Sequence, residues 1–356
     1  MRLLALFLAL TLTSTLAPAQ APGEVRLAAN KPYRHKPTGL VIPVSIDGLP
    51  RTRVVAWEAD IDEAVNFQSA DGREAISIYI FRNVTGAIPV WYDRTAWVIG
   101  HRDLYGGATA VVPPAAFVPP QQRNASALIG SYRPGKEPFK STGAAYVPIG
   151  PEWYVSVRYS SASLAPEALD TRLRGVIAAI EWPRKIEPQP DAAPVVDCAQ
   201  PLVTSGEAKM ATGDKLGASA LFGGLMASAA RDDKKKMNAI DPPVVWCRDT
   251  GAYAGLEAHG VYRPVGTSDR YLIAFQDAGR GLWVGPDELA ALIDKDASPS
   301  WSIAVVGIAD TTNYANRDRL PAPTQALAIS NKERFTSKAT TWGKKRNVTI
   351  GEGALK

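Results

Sequence analysis

Histidine and cysteine are scarce in this chain, with three histidines and two cysteines in 356 residues. His35, His101 and His259 stand far apart, without an H-E-x-x-H or paired spacing, so a zinc site has no support in the sequence. The G-x-S-x-G, S-x-x-K and P-loop patterns are also missing, which argues against the familiar hydrolase and NTPase classes but not against a site assembled from distant residues. The run GRGLWVG at 279–285 is spaced G-x-G-x-x-x-G, and Leu282, Trp283 and Val284 are strand formers, so it predicts a hairpin and not a dinucleotide loop. No cofactor is expected. Beyond the first twenty residues no apolar run approaches the roughly 20 residues needed to cross a bilayer, so no transmembrane segment is expected in the mature chain.

What the sequence does have begins at its start. Arg2, an apolar run from Leu3 to Leu16 and the small-residue pattern Ala17-Pro18-Ala19 predict a secretory signal peptide over residues 1–19. Thr11, Thr13, Ser14 and Thr15 interrupt the run and argue against a membrane anchor. The expected location is therefore periplasmic or secreted. In that oxidising setting two cysteines most simply form one disulfide, Cys198 to Cys247, with Trp246 packed over the bridge. The rival reading makes Cys247 a nucleophile with His259 as its base, but nothing else in the sequence would activate the thiol.

The net charge of +5 is concentrated at one end: residues 331–356 carry seven cations against two anions, leaving the body near neutral. That stretch lacks apolar periodicity and is expected to be a disordered basic tail able to meet an anionic surface. Only Phe335 and Trp342 interrupt it with aromatic rings, and together with export this argues against nucleic acid as partner.

Short strands with Asp-Gly turns at 47–48 and 71–72 predict an antiparallel meander from Gly39 to Arg82. A helix opening at Pro89 and running to His101 is expected next, with Val90, Trp91, Ala96, Trp97 and Ile99 as its apolar set. Paired prolines in 113–122 predict a loop. Leu169, Leu173, Val176, Ile177 and Ile180 mark a helix over 166–181, and a proline-rich linker follows at 184–194. The remaining 195–330 reads as a second, smaller domain, with candidate helices at 213–236 and 286–295. The fold class expected is α+β, an antiparallel sheet packed with helices followed by a second α+β domain.

Within residues 25–183, Trp153, Tyr154, Val157, Arg158 and Tyr159, followed by the 166–181 helix that ends in Glu181-Trp182-Pro183, resemble the PsbP/Mog1-like α+β sandwich domains of secreted proteins. That resemblance implies a noncatalytic binding or assembly module. The residues most able to do chemistry are an acidic cluster, Glu58, Asp60, Asp62 and Glu63, whose first three members would share a strand face, and His101. Asp60, Asp62 and His101 are the polar candidates. The expected function is binding of an envelope ligand or protein partner, with an envelope hydrolase acting between the domains as the alternative.

Overall fold

A computed structural model describes residues 23–211, 244–288, 298–344 and 347–354. The expected signal peptide, the 213–236 helix and most of the 286–295 helix lie outside the described residues.

In chain order the elements of the first half are β1 (Gly23–Glu24), β2 (Tyr33–Arg34), β3 (Val41–Ile42), β4 (Ser45–Ile46), β5 (Leu49–Glu58), β6 (Asp62–Gln68), β7 (Glu74–Arg82), α1 (Ile88–His101), β8 (Thr109–Phe117), β9 (Ala127–Arg133), β10 (Ser141–Ile149), β11 (Trp153–Ser161) and α2 (Pro166–Ala179). Those of the second half are β12 (Val196–Asp197), β13 (Trp246–Arg248), β14 (Gly260–Pro264), β15 (Tyr271–Phe275), β16 (Arg280–Pro286), β17 (Trp301–Val306), β18 (Asp310–Arg317), α3 (Pro323–Lys332), β19 (Ser337–Thr340) and β20 (Val348–Ile350).

The first nine-stranded sheet runs β1-β5-β6-β7-β11-β10-β9-β8, with β4 hairpinned onto β5. Asp47 and Gly48 both take positive φ in that two-residue turn, the geometry an Asp-Gly pair favours. The second sheet is a run of neighbours from β12 to β20, antiparallel except for the β12–β13 pair.

Strand alternation sends the first sheet's residues into two different cores. Ile76, Ile78 and Ile80 of β7 join Val155 and Val157 of β11 in the core that Leu169, Leu173, Val176 and Ile177 of α2 cover. Close approach of that helix depends on Gly143, where a Cβ would sit 2.7 Å from a Leu173 methyl. The opposite face supplies Phe81, Tyr146 and Tyr154 to a core shared with Trp91 and Tyr92 of α1 and with Tyr262, Leu272 and Ala274 of the second sheet. The far side of the second sheet closes on Ala326 and Ile329 of α3.

This architecture overturns the expected α+β class: among the described residues are twenty strands, nine in each of two large sheets and two in a small β2–β3 sheet, and only three α-helices, so the fold is β-rich and not a helix-packed sandwich. The proline-rich stretch is the first reason. Pro113 and Pro114 lie within β8, at the free edge of the first sheet, where a residue without an N–H is tolerated. The basic tail is the second. It adds β19 and β20 to the second sheet, and Trp342, between them, meets Trp153 edge to face at 5.5 Å. Strands of four and three residues, the first burying only the small Ser337 and Ala339 and the second nothing, leave no apolar periodicity to read.

Candidate functional site between the two sheets

Cys198 and Cys247 form a disulfide, which removes Cys247 as a nucleophile. Trp246, the next residue along β13, turns to the opposite side of the strand from Cys247 and meets Trp283 at 6.4 Å in the shared core, not the bridge. His259, the base imagined for that thiol, instead lies 5.2 Å from Phe275, with burial the main influence lowering its pKa.

Where the halves meet, three consecutive residues of α1 reach across. The Asp93 carboxylate accepts from Arg248 Nη1 and from the Tyr262 hydroxyl, both at 2.7 Å. Arg94 is buried, lies over Trp97 and donates to the Ala258 carbonyl at 2.7 Å and the Gln276 carbonyl at 3.2 Å. The Thr95 hydroxyl meets the Tyr146 hydroxyl at 2.7 Å, and Tyr146 donates onward to the Asp277 carbonyl at 2.8 Å. Burial pushes the Tyr146 phenol up to about 12, so it remains a donor. Arg158 of β11 completes this part, ion-paired to the Asp277 carboxylate and seated over Tyr79.

Asp62 sits in the same seam. Its carboxylate accepts from Arg280 Nη2 at 2.7 Å, and burial raises its pKa although Arg280 pulls the other way. Burial likewise raises Glu58 at the end of β5, with Arg280, Asp310 and Lys338 among its charged neighbours. The expected single acidic face does not form. Asp60 occupies the β5–β6 turn with φ 67°, its carbonyl 3.1 Å from His35 Nε2 and its N–H donating to Glu63. Glu63 faces away from Asp62 and takes a hydrogen bond from Tyr33. His101 is elsewhere, at the exposed C-terminal end of α1, stacked on Trp97 at 4.2 Å. No hydrogen bond or ion pair among the described residues joins Asp60, Asp62 and His101.

A metal has no ready cage: among the described residues no three His, Cys, Asp or Glu side chains come together to hold one. No described helix is long and apolar enough to cross a membrane. Sequence reading missed Asp93, Arg94 and Asp277 because their partners lie more than 100 positions away. One signal was present: Arg94 and Thr95 interrupt the apolar positions of a helix that is buried against two sheets.

No family model, curated protein or solved structure matches this chain.

Proposed function

We propose that this chain is an exported, noncatalytic binding or assembly module of the bacterial envelope. The observation that supports this reading most is the filled seam. A hydrolase of dispersed residues would need an open cleft between the halves, and that space holds instead a shared aromatic core. Its charged groups are spent on one another: Asp93 on Arg248 and Tyr262, Asp62 on Arg280, Asp277 on Arg158. Recognition then belongs to the outer surfaces. The predicted signal peptide and the disulfide agree with an oxidising compartment.

Native mass spectrometry on protein taken from its own envelope compartment tests this. The expected spectrum shows a chain lacking residues 1–19, lighter by two hydrogens for the disulfide, with a stoichiometric adduct. Substrate turnover by the purified protein that is lost in folded Asp62→Asn or His101→Ala variants would replace this reading with the hydrolase.

A further inference from the structure

The hairpin loop between β9 and β10 reads RPGKEPFK from Arg133 to Lys140, three cations and one carboxylate in eight residues. With Ser163, Ala165 and Pro166 at the start of α2 it borders a cavity of about 530 Å³. Arg133, Lys136 and Lys140 all line it, as does Glu137, so its wall carries a net charge of +2. Among the described residues none of the three cations has an ion-pair partner, whereas eleven other arginines do.

A charge run in a loop is ordinarily a solvated face. This one differs in that the backbone carrying the cations is tied to its neighbours and the stem of one of them is packed. Arg133 ends β9 in register with Thr109 of β8. The stem of Lys136 lies against Gly106, which has φ 60° and where a Cβ would come within 2.8 Å of the Lys136 Cγ, so only glycine admits this approach. The Lys140 N–H donates to the Ser161 carbonyl at 2.8 Å, and the Gly135 N–H donates to the Tyr105 carbonyl at 2.7 Å. Phe139 packs edge to face on Tyr105 at 6.2 Å. A loop whose backbone is already ordered loses less conformational entropy when a ligand binds. Ser163 adds no free hydroxyl, because it donates to Glu74 at 2.7 Å.

We infer that this cavity binds the phosphate group of a phosphomonoester or of free phosphate. A phosphate dianion matches the net +2 of the wall, and Arg133 supplies the planar fork suited to phosphate oxygens while the two lysines act as point charges. The inference rests on the binding-module reading above and gives that module a ligand class.

The test uses the full mature chain, titrated calorimetrically with inorganic phosphate and separately sedimented with vesicles of phosphatidic acid in phosphatidylcholine. Wild type is compared with a triple variant, Arg133→Ala, Lys136→Ala and Lys140→Ala, and with a control, Arg26→Ala with Arg53→Ala, that removes two cations lining another cavity. Circular dichroism and thermal unfolding establish that each variant folds. Saturable binding in either arm, weakened at least tenfold by the triple variant and not by the control, is the expected result. Binding of phosphate alone identifies a soluble source, and binding of vesicles a lipid headgroup. Absence of binding in both arms, or equal binding by the triple variant, overturns the assignment. The envelope adduct distinguishes the two readings: if the triple variant keeps it, the module reading stands and this site is wrong, whereas turnover without an adduct removes the module reading itself.

Discussion

The two sheets have the same number of strands, but the central strands of the first are buried far more fully than the outer strands of the second. In the first, all nine residues of β10 and eight of nine in β11 are buried, since α2 covers one face and α1 with the second sheet covers the other. In the second, β17 and β18 bury one residue of six and two of eight. The disulfide lies in the less buried sheet, between its first strand's neighbourhood and β13. The comparison teaches that β10 and β11 rest on burial from both sides, whereas the second half adds covalent closure to a core of its own and to its docking on the first.

The sharpest way to break this contrast is to open the disulfide. Closing a span of 49 residues restricts the unfolded chain, which amounts to about 4 kcal/mol on the chain-entropy account. A Cys198→Ala, Cys247→Ala variant should lose about that much in urea unfolding. Hydrogen exchange should rise first in β12 to β14 while β10 and β11 stay protected. Equal loss of protection in both sheets would show instead that the seam makes them one cooperative unit.

The complementary change falls on the first sheet. Leu173 is fully buried beneath α2 and touches the Gly143 position. Leu173→Ala removes a side chain from a core that cannot collapse to fill the space, at about 3.5 kcal/mol. Its denaturation midpoint should fall nearly as far as that of the disulfide variant, with exchange rising in β9 to β11. A loss below about 1 kcal/mol would mean that burial is not what distinguishes this sheet.

Legibility from sequence follows the same division. The α2 helix was readable because Leu169, Leu173 and Val176 repeat along one face, and the Asp47-Gly48 turn because its residues suit positive φ. The second sheet's last strands were not, since β19 and β20 are four and three residues long and gain their stability from neighbours distant in the chain. Asp62 was named in the sequence as a polar candidate within an acidic cluster and not as a buried group; it is buried, its partner Arg280 is 218 positions away, and only the fold reveals that this pair belongs to the seam. The acidic cluster was misread for a local reason: Asp60 adopts a left-handed turn, so the strand that would have aligned Glu58, Asp60 and Asp62 does not continue. The three cations of the β9–β10 loop carry no signal in the sequence, because nothing there says that Gly106 will lie against Lys136.

The smallest of the three effects sharpens the comparison through pH, because the principal buried histidine belongs to the first half. His35 is fully buried, bonded through Nδ1 to Thr38 at 2.8 Å and stacked edge to face on Trp153 at 4.8 Å, and burial lowers its pKa from 6.5 to about 4. Its folded value lies below its unfolded one, so the unfolded chain binds the extra proton first. Stability from this group is complete above pH 6.5 and is lost as the pH falls towards 4, by about 3 kcal/mol over the interval. His259, lowered chiefly by burial, acts in the same direction from the second half. Glu58, Asp62 and Glu63 act oppositely: burial raises each, the native state takes up protons first, and acid favours the fold through them. The measurement is therefore a difference between proteins. Urea unfolding from pH 7 to 4.5 should show a steeper fall for wild type than for His35→Gln, with His259→Gln changing the slope less. Parallel slopes for wild type and His35→Gln would mean that the imidazole gains a proton without unfolding the turn that Asp60 makes, and that the first sheet's edge yields more readily than its burial suggests.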